Sequence, residues 1–262
     1  IKREKKMADD QVTSNIKERV SAEEWGARVD LAALYRLVAQ NKWDDLIFTH
    51  ISARVPGPDH HFLINPYGML FEEITASSLV KVDLEGNIVE PSEYFINPAG
   101  FTIHSAIHAA REDAKVVMHL HTDQGVAVSA QKDGLLPLSQ TALIAMHDLS
   151  YHDYEGVALD HDERERIVAD MGQTHAMILR NHGTLTVGEN AAEAYLRMFF
   201  LERACSMQVM AQSSSNLIHC DGDLQERVAG QSTGDGMAVL ADKLVWPALL
   251  RKLQHDCPGF DS

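Results

Sequence analysis

The chain has 262 residues, 45% of them hydrophobic and 23% charged, which is the composition of a globular protein with a sizeable core and enough length for one large domain. Its formal net charge of -15 at pH 7 argues against a protein that coats nucleic acid or anionic lipid, because a net-negative surface repels phosphate. No stretch approaches the ~18 consecutive apolar residues that a membrane span requires, so no membrane partner is expected.

A charged segment precedes the first regular element. Residues 1–20 begin with IKREKKMADDQ and predict a flexible N-terminal segment, while residues 21–262 are expected to form a single domain. From Ser21 to Asn41, apolar residues recur at helical spacing behind a serine that has a glutamate three positions later. That start is typical of a capping box and predicts a helix.

Short strands are predicted after this helix. DLIFTHISARV and HHFLINPYG predict a hairpin, whose turn contains the proline and glycine of PGPDHH. SSLVKVDLEGNIVE alternates apolar and polar residues around EGN. It therefore predicts either a strand pair or one strand with a turn.

The second half of the chain alternates helical and buried extended patterns. FTIHSAIHAARE, residues 101–112, predicts a helix, and the apolar runs KVVMHLH and HAMILRN predict buried strands. A long helix is expected from Asn190, turns at SSSN and GQSTGDG, and a helical tail from Met237 to His255. This alternation favours an α/β fold in which helices cover a sheet.

The cysteines indicate a reducing compartment. Cys205, Cys220 and Cys257 are odd in number, share no Cys-x-x-Cys spacing, and come without a recognisable secretory signal. We therefore expect a cytoplasmic protein without disulfides.

Two histidines one residue apart end the first buried run. Residues i and i+2 of a strand point to the same face, so His119 and His121 would present their imidazoles together. A metal that does chemistry takes three protein ligands and keeps one position open. His182 is the candidate third ligand, since Gly183 directly after it allows a sharp turn or a close approach. From the residues alone, structural or surface histidines remain the alternative interpretation.

Two segments of the chain resemble the signatures of the class II aldolase/adducin superfamily. They are VVMHLHTDQGVAVSA and LRNHGTLTVGE. The similarity continues through FTHISARV, HFLINPYGMLFEEITASSLVKVDLEGNIV, NPAGFTIHSAIHAARED, GLLPLS and SYHDYEG, and it is closest to adducin head domains. It covers most of residues 21–210.

The resemblance implies a fold and a metal site. The family fold is a single three-layer α/β/α sandwich with a mostly antiparallel mixed central sheet. In its fuculose-phosphate-type aldolases three histidines in this arrangement hold a divalent metal, here His119, His121 and His182. Zinc is expected first, with manganese as an alternative. Those aldolases are typically cyclic tetramers with active sites between subunits, which implies a homo-oligomer here.

The chain departs from the family pattern where the aldolases move protons and bind phosphate. The proton-transferring glutamate falls at Gly100, and the two phosphate-binding serines fall on Pro98 and Ala99. These side chains donate no hydrogen bonds and transfer no protons. Ordinary sugar-phosphate aldolase activity is therefore not expected.

Other acids and bases remain candidates for catalysis. Glu73, beside Glu72, could move protons, although paired acids at such a junction are often solvated or capping residues. His104 and His108 lie one helical turn apart and are either catalytic or a buried hydrogen-bonded pair. Tyr151 opens the polar run YHDYEG, which could transfer protons or simply form a turn.

Candidate substrate-binding residues are His50, Gly68 and Arg180. A phosphate-binding asparagine of the family falls near His50. Arg180, next to Asn181 and His182, could hold a carboxylate by a bidentate contact, or it could form an ion pair at the sheet edge.

Two functions from different classes follow. The first is a metal-dependent carbon–carbon lyase, aldolase-like or decarboxylase-like, acting on an unphosphorylated carbonyl or carboxylate substrate. The alternative is a non-catalytic, adducin-head-like oligomerisation domain with a vestigial metal site. A hydrolase ranks last, because no nucleophile elbow is recognisable.

The expected partners are a small-molecule substrate and further copies of the chain, with a tetramer favoured. Adducins bind actin and spectrin largely through a neck and a basic tail, and the sequence ends at Ser262 without a lysine-rich tail. Binding to actin or spectrin is therefore not expected.

Overall fold

A computed structural model describes residues 16–156, 163–232 and 234–262. The predicted flexible segment, residues 1–20, lies outside the described residues up to residue 15, and Ile16–Arg19 forms one helical turn. Among the described helices, none combines the length and the apolar character that crossing a bilayer requires. Cys205, Cys220 and Cys257 are free.

The centre of the fold is a seven-stranded mixed sheet. Its strands are β1 (His50–Arg54), β2 (Phe62–Ile64), β3 (Val80–Val82), β4 (Val116–Leu120), β5 (Leu149–His152), β6 (Ala176–Leu179) and β7 (Gly183–Gly188). They are arranged in the order β3-β2-β1-β4-β7-β6-β5. Only the pairing of β5 with β6 is parallel among the described strands. The expected mostly antiparallel mixed sheet is confirmed.

Helices cover both faces of this sheet. The longer ones are Ala22–Gln40, Pro98–Ala110, Glu163–Met171, Ala191–Ala211, Gly222–Ser232 and Trp246–Asp256, and the shorter ones are Asp123–Ser129, Gln140–Met146 and Asp235–Leu240. A 3₁₀ turn spans Phe71–Glu73, and a π-helical turn, Ala241–Val245, joins the last two helices.

Successive residues of β4 show how the layers are divided. Met118 and Leu120 pack in the cluster that contains the Ala22–Gln40 and Ala191–Ala211 helices. Val117 packs instead with Ile103 and Ile107 of the Pro98–Ala110 helix. Because side chains alternate along a strand, His119 faces the same side as Val117. The three-layer α/β/α sandwich is thus confirmed.

The strongest sequence patterns are confirmed by the structure. The Ser21 hydroxyl accepts a hydrogen bond from the Glu24 backbone N–H at 3.1 Å and caps the Ala22–Gln40 helix. The Glu24 carboxylate turns inward to Arg28 and Lys81. The hairpin of β1 and β2 forms as expected, and EGN becomes a turn after β3 with a single bridge, Val82 to Ile88.

One local expectation is wrong, and several helices had not been predicted. A turn was expected over residues 230–236, but the first of these residues belong to the Gly222–Ser232 helix. That helix is polar, so it has no apolar stripe from which to predict it. Three other unpredicted helices, Asp123–Ser129, Gln140–Met146 and Glu163–Met171, have only seven to nine residues. So short a helix gives only about two turns of periodic signal.

Candidate metal centre

Three imidazoles meet where β4 ends and β6 turns into β7. The ring centroids of His119, His121 and His182 lie 4.7, 4.8 and 4.8 Å apart. One nitrogen from each ring lies within 4.8 Å of the others, and Nε2 of His119 is 3.0 Å from Nε2 of His121. Zinc–nitrogen bonds of ~2.0–2.1 Å in a tetrahedron separate ligand nitrogens by about 3.3 Å. The spacing therefore suits three ligands of one cation.

Backbone pairing brings the distant histidine to the other two. β4 and β7 pair antiparallel, with Leu120 opposite Thr184, so the residue that begins β7 lies beside the end of β4. A Cβ at Gly183 would overlap the carbonyl oxygen of Leu120. Asn181 adopts a left-handed φ of 55° in the turn just before His182. The close approach expected of Gly183 is present, and it places His182 against the β4 pair.

Hydrogen bonds fix which nitrogens face the centre. Nδ1 of His119 donates to the carbonyl of Thr184 at 3.1 Å, and Nδ1 of His121 lies 3.1 Å from the carboxylate of Asp45. Both rings then carry a proton on Nδ1, and their Nε2 atoms face each other. Two acceptors at 3.0 Å repel each other unless a cation or proton lies between them. The donor set fits a divalent metal with its orienting partners in place.

Burial favours the neutral form of His182 and His119. It lowers the pKa of His182 to about 4, with a further contribution from nearby His121. It also holds the pKa of His119 well below its usual value, helped by His182 and His121. Since a metal binds the neutral imidazole, this environment favours ligation at neutral pH.

A buried carboxylate lies behind the centre. Glu202 accepts hydrogen bonds of 2.5 Å from the hydroxyls of Thr122 and Thr184, and burial raises its pKa. The backbone carbonyl of the same Thr184 orients His119. Glu202 thus helps to hold Thr184, whose carbonyl orients His119. Sequence analysis missed it because it lies within an apolar helix with no motif around it.

The predicted pair His104 and His108 is brought together by one hydroxyl. Ser52 Oγ lies 2.6 Å from Nδ1 of His104 and 2.7 Å from Nε2 of His108. His108 also stacks on Phe62 and contacts the Ala114 carbonyl. His50 begins β1 opposite His119, and its ring centroid lies 5.8 Å from that of His104. These two rings therefore border the metal centre.

Two other predicted residues have contacts of a different kind. The Glu73 carboxylate accepts the Leu70 backbone N–H at 2.7 Å and is exposed, which is the capping alternative considered for it. Gly68 is an exposed turn residue with a φ of 103°. Neither has a described contact with the three imidazoles. Gly100 lies in the Pro98–Ala110 helix, one turn before His104.

Tyr151 and Arg180 contact each other and the segment around Gln131 and Leu135, with no described contact to the three imidazoles. The Arg180 guanidinium lies over the Tyr151 ring at 4.3 Å and donates to the carbonyl of Gln131. The Tyr151 hydroxyl accepts the backbone N–H of Leu135. The phenol next to the metal centre is instead Tyr154, whose ring centroid lies 6.1 Å from that of His182. Tyr154 belongs to the same YHDYEG run as Tyr151, and the sequence alone does not distinguish the two phenols.

Comparison with curated proteins identifies relatives along most of the chain. A family model described as Class II Aldolase and Adducin N-terminal domain matches residues 29–209. A Caulobacter vibrioides protein named only for aldolase class 2 is 64% identical over 250 residues, covering 95% of this chain and 96% of its own. Mouse alpha-adducin is 45% identical over 219 residues, covering 80% of this chain but 30% of the adducin.

Solved structures share the same architecture. An aldolase II superfamily protein from Pseudomonas syringae superposes with a TM-score of 0.89 at 50% identity, covering 95% of this chain and 100% of that one. An L-fuculose 1-phosphate aldolase from Glaciozyma antarctica superposes with a TM-score of 0.79 at 26% identity, covering 90% and 93%.

Proposed function

The chain belongs to the family of class II aldolase and adducin N-terminal domains, and from that premise we propose that it is a divalent-metal-dependent carbon–carbon lyase. The observation that carries the proposal is the convergence of three imidazoles with two Nε2 atoms 3.0 Å apart. The substrate would be an unphosphorylated carbonyl or carboxylate compound, and the reaction would be aldolase-like or decarboxylase-like.

The chain's own residues would divide the work as follows. His119, His121 and His182 would hold the metal, with zinc preferred and manganese as the alternative. Asp45 and the Thr184 carbonyl would keep two of these rings in the ligating orientation. When bound, such a cation polarises a carbonyl or carboxylate oxygen as a Lewis acid.

A cleft beside His182 offers a place for a carboxylate. It has a volume of about 540 Å³ and is lined by residues that include Lys132, Arg180 and Asn181. The guanidinium of Arg180 is held by the Gln131 carbonyl and by the Tyr151 ring, so little side-chain entropy is lost on binding. Arg180 is therefore the proposed carboxylate-binding residue, as its sequence position had suggested.

The residues in the family's phosphate-binding positions support an unphosphorylated substrate. Pro98 and Ala99 stand where the aldolases have serines, and Gly100 stands where they have the proton-transferring glutamate. Each hydrogen bond lost to a phosphate costs on the order of 1 kcal/mol or more. Proton transfer would then fall to another group, and His104, His108, Tyr151 and Glu73 remain the candidates.

We also propose that the protein is a cytoplasmic homo-oligomer, with a tetramer favoured. Three large apolar side chains near the metal centre are well exposed in the single chain: Leu46 at 65%, Phe48 at 42% and Tyr154 at 53%. An apolar surface beside a polar site is what an interface between subunits would cover.

Metal analysis combined with a substrate screen tests the lyase proposal. Purified protein should contain one divalent ion per chain, and His182→Ala should weaken zinc binding by about 100-fold or more because one of three ligands is lost. His175→Ala is the matched control, since His175 precedes β6 but pairs with carboxylates. Wild type, but not His182→Ala, should cleave a carbon–carbon bond in a panel of unphosphorylated β-hydroxycarbonyl and carboxylate compounds. A wild-type protein without a stoichiometric divalent ion would contradict the proposal.

The similarity to alpha-adducin favours the second candidate, a non-catalytic oligomerisation domain with a vestigial metal site. This chain spans only 30% of that adducin, so the adducin's partners are not transferred to it. The two functions differ in one measurement. A metal-loaded oligomer that turns over no compound in the panel would support the assembly role over the lyase.

A further inference from the structure

Buried polar atoms without hydrogen-bond partners concentrate beside the metal centre. Within the described ranges, six such side-chain atoms occur, and four of them belong to Thr49, His50 and His104. Both ring nitrogens of His50 and Nε2 of His104 are among these four. Thr49 in addition has a left-handed φ of 64°, which is strained for a β-branched residue. Unsatisfied buried groups that cluster near a strained residue point to a ligand site.

The hydrogen-bond chain through Ser52 determines where the His104 proton lies. Nδ1 of His108 is 2.8 Å from the carbonyl of Ala114, which can only accept, so that nitrogen carries the proton. Nε2 of neutral His108 therefore accepts the hydroxyl proton of Ser52. Ser52 has no second proton, so its oxygen must accept from Nδ1–H of His104. Nε2 of neutral His104 is left as a bare lone pair.

The environment keeps both helix histidines neutral, as this chain of bonds requires. Burial lowers the pKa of His108 to about 3, and burial together with His50 and His108 lowers the pKa of His104 well below its usual value. The exposed fractions of the two side chains are consistent with this: His104 is fully buried and His108 is 3% exposed.

His50 supplies the complementary group. It is 6% exposed, and at least one of its two unpartnered ring nitrogens carries a proton. Its ring is approached edge-on by that of His104, at 5.8 Å between centroids and 76° between planes. The pairing of His50 with His119 across β1 and β4 places this acceptor and donor next to the metal ligands.

We propose that His50 and His104 bind a hydroxyl group of the substrate beside the metal centre, so that the substrate is a hydroxylated carbonyl or carboxylate compound. The inference rests on the proposed function of the metal centre and specifies its substrate class. The hydroxyl donates its hydrogen to Nε2 of His104, and its oxygen accepts the N–H of His50. One hydroxyl thus satisfies Nε2 of His104 and one of the two ring nitrogens of His50.

The same geometry selects against other polar groups. A ketone, a carboxylate or a phosphate dianion only accepts hydrogen bonds, so it would place a lone pair against the lone pair of His104. A methyl group would leave both rings unsatisfied. His104 therefore distinguishes a hydroxyl from groups of similar size, in the way that sites built to hydrogen-bond a hydroxyl reject analogues lacking it.

The tautomer can be measured without any ligand. In ¹⁵N-histidine-labelled protein stripped of metal, long-range ¹H–¹⁵N correlation should show His104 protonated on Nδ1 and bare on Nε2. Ser52→Ala removes the acceptor of that proton and should increase the Nε2-protonated form. Ser105→Ala is the control. It removes a buried hydroxyl from the helix that carries His104, and it should leave the His104 signals unchanged. A His104 ring protonated on Nε2 in the wild type would overturn the proposal.

An isosteric pair of probes tests the hydroxyl preference. Glycolate and propionate differ by a hydroxyl in place of a methyl group, and calorimetry on zinc-loaded protein gives the ratio of their dissociation constants. Zinc itself prefers glycolate, so the readout is the change of this ratio between variants. His104→Asn retains a donor near the position of Nδ1 and removes Nε2, and it should reduce the preference for glycolate about tenfold. Ser105→Ala should retain the wild-type preference.

The outcomes separate this inference from the proposed function. If zinc binds stoichiometrically but His104→Asn keeps the wild-type ratio, or if neither acid binds, the hydroxyl site is wrong and the metal centre stands. If zinc does not bind, the lyase proposal fails. The tautomer of His104 in metal-free protein then still decides whether the chain presents a hydroxyl acceptor.

Discussion

His175 and His182 flank the same strand, β6, but they have opposite surroundings. Nδ1 of His175 lies 2.9 Å from Asp148, and its Nε2 lies 3.3 Å from Asp113. Arg197 completes the cluster, 4.0 Å from Asp148. At the other end, His182 faces two further imidazoles, and no carboxylate in the described part of the chain lies within ion-pair distance of it. His175 is therefore paired with carboxylates, whereas His182 lies against two imidazoles and could bind a cation.

The difference shows why cavity size alone does not locate a site. A cavity of about 510 Å³ lies at the His175 end, and its volume is close to the 540 Å³ of the cleft beside His182, so size does not distinguish the two ends. Its lining residues include Asp148, Glu193 and Arg197. These charged groups are paired with one another, so they offer little to a ligand. At the other end, burial favours the neutral form of His119 and His182, so their unshared electron pairs remain available. Unpaired ring nitrogens, rather than cavity volume, therefore distinguish the candidate metal centre from the other end of the sheet.

The largest expected effect comes from the two glycines that bound β7. A Cβ at Gly183 would overlap the Leu120 carbonyl, and a Cβ at Gly188 would lie 2.6 Å from the Ala194 nitrogen. Gly183→Ala and Gly188→Ala should each lower the free energy of unfolding by about 2–4 kcal/mol, measured by urea denaturation. Only Gly183→Ala should also weaken zinc binding, because it displaces the segment that carries His121.

Gly26→Ala is the control for these two variants. No atom lies within 4 Å of a Cβ at this helical position, so the substitution should stabilise the protein by about 0.5–1 kcal/mol. If Gly188→Ala weakened zinc binding as much as Gly183→Ala, the two ends of β7 would not be functionally distinct.

Acid should destabilise the protein through His108, a buried imidazole that pairs with no carboxylate among the described residues. Folded His108 stays neutral down to a pKa of about 3, whereas an unfolded histidine takes up a proton near pH ~6.5. Between these values the unfolded state binds more protons, so stability falls as the pH falls from 6.5 toward 3. At pH 5 this single group should cost about 2 kcal/mol.

His108→Gln should remove part of that pH dependence. The free energy of unfolding, measured by denaturant titration at pH 7 and pH 5, should drop less between the two pH values than in the wild type. His255→Gln removes an imidazole that is 89% exposed and serves as the control. Equal slopes for wild type and His108→Gln would show that burial of His108 is not a source of acid sensitivity.

The smallest expected effect concerns the two aspartates that contact a histidine at opposite ends of the sheet. Asp45→Asn weakens the acceptor that orients His121, and zinc affinity should fall about tenfold, the low end for such partners because Asp45 is partly exposed. Asp148→Asn disturbs the His175 cluster and should leave zinc affinity unchanged. Competition with a chromophoric chelator measures both. A larger loss in Asp148→Asn than in Asp45→Asn would reverse the comparison.

Local pattern predicted more of the fold than of the site. The capped Ala22–Gln40 helix, the buried strands β4 and β6 and the long helix after Asn190 all follow from periodicity and capping residues, which act over a few neighbours. The short helices and the polar Gly222–Ser232 helix were not predicted, because tertiary packing rather than local preference stabilises them.

The residues that orient the imidazoles could not be found in this way. Asp45 lies 76 positions from His121, and Ser52 lies 52 positions from His104. Glu202 lies 80 positions from Thr122. Nothing in a local pattern pairs residues at such separations. Glutamate is usually exposed, so the sequence predicts a surface position for Glu202 and does not indicate its buried partners.

By itself, the sequence predicted that His119 and His121 point to the same side, because side chains alternate along an extended chain; the structure ends the strand itself at Leu120. It also indicated that Gly183 permits a close approach, because only glycine lacks a Cβ. The tertiary structure decided that His182 joins them and that Asp45 and Thr184 orient the rings. It also decided that Ser52 leaves His104 with a bare nitrogen. Each of these outcomes depends on the register between strands and helices, and that register is set by packing of the whole core.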